Sequence, residues 1–339
     1  MSSDNRKVLV VFGATGVQGG SVSKAILSDP DASRQFKVRA ITRDPSKPAA
    51  LALAHQGAEV VKASLDKKEE VYAALQGAYA VYLVTNMEAF DYAAETRQAK
   101  LVADVAKLDI KHLIWSSLPH ISQITDGKLT GAVHWDGKAV VDDYIRSLAI
   151  PHTIINIGVY TPFIVDFFLA PLSTDPPAFS LPLPEPANIN TVLPVVDAAA
   201  DVGKFVKGIL LRPEETIGKR LDIAEGYYTA KEIVETLNKL GRSVVFQTLP
   251  KETFKAALAS RGLPEFFQED LCQVLQYIEE YGYFHNGTVE KAREVLPCHS
   301  LVENDVMLIL YREQIASEPL ISLEEALRSR LELVNLGDK

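Results

Sequence analysis

Cysteine is nearly missing from this chain: two occur, Cys272 and Cys298, among 339 residues. They form no CxxC pair and stand near no His/Cys ligand spacing, so two reduced thiols in a reducing cytosol are expected rather than a disulfide framework or a metal site. No apolar run approaches the ~18 residues of a membrane span, and the opening MSSDNRK is polar and runs straight into a strand, unlike a signal peptide. A cytoplasmic protein with access to the nucleus is the expectation. An excess of positive charge is also absent. Lys and Arg total 35 against 44 Asp and Glu, for a formal net charge of -9. Unaided DNA or RNA binding needs a basic surface to neutralise phosphates, so it is not expected.

What is present is an ordinary globular composition, 47% hydrophobic and 23% charged, enough for one large core or two moderate ones. Short apolar runs alternate with helical patterns through the first half. Strands are expected at 7–12 (KVLVVF), 37–43, 58–63, 79–85 (YAVYLVT), 112–117 (HLIWSS) and 152–157. Helices are expected at about 18–28, 92–108 and 137–148. This alternation predicts an α/β fold, a Rossmann-type doubly wound parallel sheet over residues 1–157, with ligands at the carboxyl ends of its strands.

The texture changes from about residue 158. The stretch 171–190 is rich in proline and reads as an extended excursion. Helices are expected at 197–211, 230–240, 251–261, 264–280 and 322–335, with short strands at 219–223 and 244–249. Residues 158–339 are therefore expected to form a smaller, mostly helical α/β capping lobe, intertwined with the first domain through a later sheet strand near 191–197. The oligomeric state is open between monomer and homodimer. The apolar positions Leu271, Val274, Leu275 and Ile278 are expected to pack in the lobe's own core rather than in a dimer.

The first strand runs into Gly13-x-x-Gly16-x-x-Gly19 and then a helix. Gly13 permits a tight turn, Gly16 lets the backbone approach a pyrophosphate, and Gly19 lets helix and strand pack closely. The second strand ends Ile41-Thr42-Arg43-Asp44. Arg43 suits a ribose 2′-phosphate, with Lys47 close behind, which favours NADP(H) over NAD(H). Asp44 pulls the other way, since it can pair with either cation. Thr85 and Asn86 end the fourth strand, and Ser116 and Ser117 the fifth, where either a catalytic hydroxyl or a plain turn residue fits.

The chain resembles the NmrA-like family, an atypical branch of the short-chain dehydrogenases, over roughly residues 7–250. The resemblance is carried by GATGVQGG, TRDPSK, VYLVTN, AVHWDGKAVVDDYIR and IPHTIINIGVYTPF, and a closing SLEEAL is similar too. Of these, AVHWDGKAVVDDYIR and IPHTIINIGVYTPF look like its NADPH-sensing branch. The resemblance implies NADP contacts at Gly13, Thr15, Gly16, Val17, Gln18, Arg43, Lys47, Thr85, Asn86, Arg97, Lys138, Tyr160 and Phe163. The chain departs from the family at 62–66 (KASLD), where Gly-Asp is common, which leaves the adenine-side contacts near Ser64 and Asp66 unassigned. It departs again at 160–163 (YTPF), where an Asn is common.

Dehydrogenases of the short-chain class use Tyr-x-x-x-Lys, the phenol moving the proton and the lysine holding the ribose. The matching residues are His134 and Lys138, so the lysine is kept and the phenol is not. Imidazole can carry protons near neutral pH, and His134, Lys138 and Ser117 are the candidate catalytic residues. Two readings stay open. The intact loop and missing phenol favour an NADP(H) sensor acting through a protein partner, such as a transcription factor or an enzyme. The lysine, histidine and capping lobe suit an NADPH-dependent reductase of a small carbonyl or enone.

Overall fold

The computed structural model describes residues 5–86, 91–285 and 318–337. β1 (Lys7–Val11) is buried at four of its five positions, as a central parallel strand must be. After it come α1 (Val17–Ser28), α2 (Pro30–Gln35), β2 (Phe36–Thr42), α3 (Pro48–His55), β3 (Glu59–Lys62), α4 (Lys68–Leu75), β4 (Ala78–Leu83), α5 (Tyr92–Ala106), β5 (His112–Ser117), α6 (Ile121–Ile124), α7 (Val133–Ser147) and β6 (His152–Ile157). The second half holds β7 (Val159–Tyr160), α8 (Thr161–Phe163) continued by a π-turn over Ile164–Phe168, β8 (Ala170–Thr174), β9 (Pro177–Pro184), β10 (Val192–Val196), α9 (Ala198–Leu211), α10 (Pro213–Thr216) and β11 (Arg220–Ile223). It closes with β12 (Gly226–Thr229), α11 (Ala230–Lys239), β13 (Val244–Leu249), α12 (Lys251–Ser260), α13 (Glu265–Tyr281) and α14 (Leu323–Gly337).

The main sheet has seven parallel strands in the order β11-β6-β5-β4-β1-β2-β3. Its order reverses beside β1, which opens a crevice at the carboxyl ends of β1 and β4. Alternate strand residues feed opposite faces. Leu9, Val11, Tyr82 and Ile114 pack with α1 and α9, while Val10, Leu83 and Trp115 pack with α5 and α7.

Two smaller sheets complete the molecule, β12-β10-β7 and β13-β9-β8, over a third core that joins Trp135 to Leu181, Ile233, Leu271 and Leu327. The strand expected near 191–197 forms as β10, in the first of these small sheets. The later strand that enters the main sheet is β11, in parallel register with β6 from Arg220–Ile154 to Ile223–Ile157. The proline-rich stretch is not a bare excursion, because β8 and β9 pair antiparallel. That ladder stops at Ser180, so Pro182 and Pro184 face only β13 and leave no donor owed on their other side.

Leu271, Val274, Leu275 and Ile278 are all buried, as their spacing on α13 predicts. The helix expected from about 137 starts earlier, at Val133. Among the described residues, no helix is long and apolar enough to cross a membrane.

Candidate functional site

The glycine loop leaves β1 and opens α1 at the crevice. Gly13 has φ of 65°, a left-handed turn that L side chains resist. Gly16 is the N-cap of α1, with no side-chain cap and no acidic residue in the first turn. Thr15, Gly16 and Val17 are exposed there, so the first N–H groups of a 12-residue helix are presented outward, a fit for a pyrophosphate. A Cβ on Gly19 would collide with the Gly13 carbonyl and the Ala14 nitrogen. The third glycine thus lets α1 lie directly on the loop.

At the end of β2, Arg43 and Lys47 are exposed. Asp44 engages Ser46, accepting from its N–H at 3.0 Å and its hydroxyl at 2.6 Å. Those bonds hold the Asp44 carboxyl below its ordinary range. The acid is therefore occupied in a local turn, with both cations beside it still on the surface. On the neighbouring β3–α4 connection, the Ser64 N–H donates to Glu70 at 2.8 Å, and Asp66 accepts from Gln98 at 2.9 Å.

Gln18 points down from α1 into a polar knot. Its Oε1 accepts from Tyr82 at 2.5 Å and Ser116 at 2.8 Å, and its amide donates to the Tyr160 oxygen. Burial pushes the Tyr160 phenol up to about 12 and raises the Tyr82 phenol well above its ordinary range. Both phenols therefore stay neutral. Phe163, next along, stacks on Phe167 with centroids 4.5 Å apart.

Lys138 sits on α7 over the end of β4. Its Nζ donates to Glu95 at 2.6 Å and to Thr85 at 3.2 Å, and the Thr85 hydroxyl donates to the same Glu95 oxygen at 2.7 Å. The ammonium also lies 5.4 Å from the Trp115 ring centroid. Asn86 and Arg97 are exposed. Ser117 is not part of it. Strand alternation turns Ser116 toward Gln18 and Ser117 toward Asp142, whose Oδ1 accepts from Ser117 at 2.6 Å and from the Trp115 indole at 2.9 Å. Arg220 donates to the other oxygen at 2.6 Å. Burial raises the Asp142 carboxyl to about 6, against the pull of Arg220.

Because α7 starts at Val133, His134 and Lys138 lie one turn apart on one helix face. The His134 imidazole pairs through Nδ1 with Asp270 of α13. Cys272, near that acid on α13, is buried, and burial pushes its thiol up to about 11, as suits an inert side chain; Cys298 lies outside the described residues.

Glu95, Asp142 and Asp270 lie outside the candidate residues of the sequence motifs. Each interrupts an otherwise apolar helix face: Glu95 with Ala99, Val102 and Ala106; Asp142 with Ala139 and Ile145; Asp270 with Phe267, Leu271 and Val274. An acid at a stripe position is a readable signal, since a buried carboxylate requires a partner.

Residues 5–306 match the model of the NmrA-like family. Among curated proteins, the chain is 29% identical to the NmrA-like family domain-containing oxidoreductase notA of Aspergillus sp. (strain MF297-2), covering 85% of this chain and 86% of that one. It is 28% identical to the NmrA-like family domain-containing protein DDB_G0286605 of Dictyostelium discoideum, over 82% and 89% of the two chains. Among solved structures, NmrA, a negative transcriptional regulator in complex with NADP, superposes with a TM-score of 0.74 at 20% identity, over 98% of each chain. The NADPH-dependent quinone oxidoreductase QOR2 of Escherichia coli, complexed with NADPH, gives 0.69 at 22% identity, over 97% of this chain and 100% of that one. With its family match running over nearly the whole length, and its sheet and loop folded as that match demands, this chain belongs to the NmrA-like family.

Proposed function

We propose that this protein is an NADP(H)-dependent reductase of a small carbonyl or enone compound. The observation that carries the reading is the early start of α7, which sets His134 one turn from Lys138, whose Nζ reaches Thr85 just past β4. The uncapped N-terminus of α1 supports pyrophosphate binding, and exposed Arg43 and Lys47 support a 2′-phosphate. Thr85, Asn86, Arg97, Lys138, Tyr160 and Phe163 would line the path toward the nicotinamide end. When bound, NADPH supplies a hydride. Lys138 would hold the ribose, and His134 would serve as the proton carrier in place of the missing phenol. The relatives named oxidoreductases are consistent with turnover.

The test combines cofactor titration with NADPH consumption against quinones, aldehydes and enones. Consumption that Lys138→Ala abolishes supports the proposal, and NADPH bound without consumption across the panel ends it. A second reading, a redox sensor acting through a protein partner in cytoplasm or nucleus, draws on the Lys138–Glu95 pair, which occupies the ammonium within the protein itself. It also draws on the likeness to a negative transcriptional regulator. Pull-downs from apo and NADP-loaded protein should then recover different partners, and identical sets argue against a sensor.

A further inference from the structure

Asp270 is fully buried and makes two contacts with one residue of another helix. Its Oδ1 accepts the backbone N–H of His134 at 3.0 Å. Its Oδ2 pairs with Nδ1 of the same residue's imidazole. α7 has no side-chain N-cap of its own, so α13 supplies acceptors from outside. Gln273, one turn beyond Asp270, takes the Gly131 N–H at 2.6 Å. The imidazole sits with Nδ1 inward and buried against Oδ2, an ion-pair contact without hydrogen-bond alignment, while the side chain keeps 21% of its surface exposed. Tyr92 and Phe267 wall the ring at centroid distances of 6.3 and 6.4 Å.

The geometry points to Asp270 as the positioning residue of a proton relay through His134, fixing Nδ1–H so that Nε2 faces the substrate oxygen. This rests on the reductase reading above. With a reduced nicotinamide as hydride source, the hydride adds to the carbonyl carbon and the C–O π pair moves to oxygen. The proton on His134 Nε2 passes to that oxygen. The products are an alcohol and the oxidised nicotinamide, and the neutral imidazole recovers its proton from water. Asp270 keeps its charge throughout and stabilises the imidazolium, as a buried carboxylate does behind a catalytic histidine.

A merely structural Asp270 would act only as a cap on α7, and Asp270→Asn separates the two roles. The amide oxygen still accepts the His134 N–H, but an NH₂ group now faces Nδ1 and forces the other tautomer. In the cofactor-free protein, ¹⁵N NMR of His134 should show Nδ1 protonated in the native chain, and the neutral Nε2–H form in Asp270→Asn. NADPH affinity should stay within about twofold while kcat falls about 100-fold, the range of a lost general acid. His134→Phe, which leaves the backbone cap in place, should lose kcat to the same degree. An Nε2–H tautomer in the native chain, or an unaltered kcat in Asp270→Asn beside an active native protein, overturns the role of Asp270 alone. Native protein that binds NADPH and consumes none overturns the reductase reading, and this relay with it.

Discussion

Lys138 on α7 and Glu95 on α5 meet at 2.6 Å, with Thr85 of the crevice donating to the same carboxylate oxygen. The contact joins two helices of one sheet face above the end of β4. Glu95 is 5% exposed and Lys138 16%, so neither charge has water to fall back on. Glu95→Ala leaves an ammonium without its counter-ion, and a loss of about 3 kcal/mol in denaturant unfolding is expected. Glu95→Gln combined with Lys138→Met should recover much of it, and a double-mutant coupling below about 0.5 kcal/mol would contradict the pairing.

Arg43 offers a planar cation at the end of β2, where a 2′-phosphate would lie. Arg43→Ala is expected to weaken NADPH about tenfold, or ~1.4 kcal/mol, with little effect on NADH. Fluorescence titration of both cofactors reads this directly. Equal losses for the two would remove the 2′-phosphate assignment.

Gly19 lies against the Gly13 carbonyl with no room for a Cβ. Gly19→Ala should push α1 off the loop, cost about 2 kcal/mol of stability and cut NADPH affinity more than tenfold. Unchanged affinity by titration, in a variant that still unfolds cooperatively, would show that the loop does not need this close approach.

The Asp142 carboxyl is raised by burial from 3.8 to about 6. Between those values the folded state holds a proton that the unfolded chain has released, so this group's contribution to stability falls as pH rises through the window. Asp142→Asn cannot lose that proton. The stability of the variant relative to the native chain should therefore improve from pH 4 to pH 6, by on the order of 2 kcal/mol. Denaturant titrations at several pH values test this, and a difference that is flat or declines with pH would contradict it.

The loop, the parallel sheet and the buried face of α13 were legible because each rests on local pattern: glycine spacing after an apolar run, strand–helix alternation, and apolar residues at helical intervals. The start of α7 lies earlier than the sequence pattern predicts because Ala132 gives no side-chain cap signal; the N–H of His134 is satisfied instead by Asp270, 136 residues away. Partners so distant leave no periodicity. The side of β5 that Ser117 faces follows from strand alternation, but the acid waiting there, Asp142, belongs to α7. The place of β11 was hidden for the same reason. A four-residue run at Arg220–Ile223 reads as a short strand, and only tertiary pairing with β6 decides which sheet receives it.

That pairing bears on how the chain acquires its shape. A nascent chain extended only through Ile157 holds six strands of the main sheet and exposes the edge of β6, with Ile154, Ile155 and Ile157 along it. The covering strand follows only at Arg220. Closing the sheet is thus a late, long-range event, costly in loop entropy and slow by topology. Until then the open edge is a template for pairing with another molecule. During synthesis, mispairing at that edge is thus expected to compete with completion of the sheet, and shielding of β6 is expected to raise the yield of folded protein.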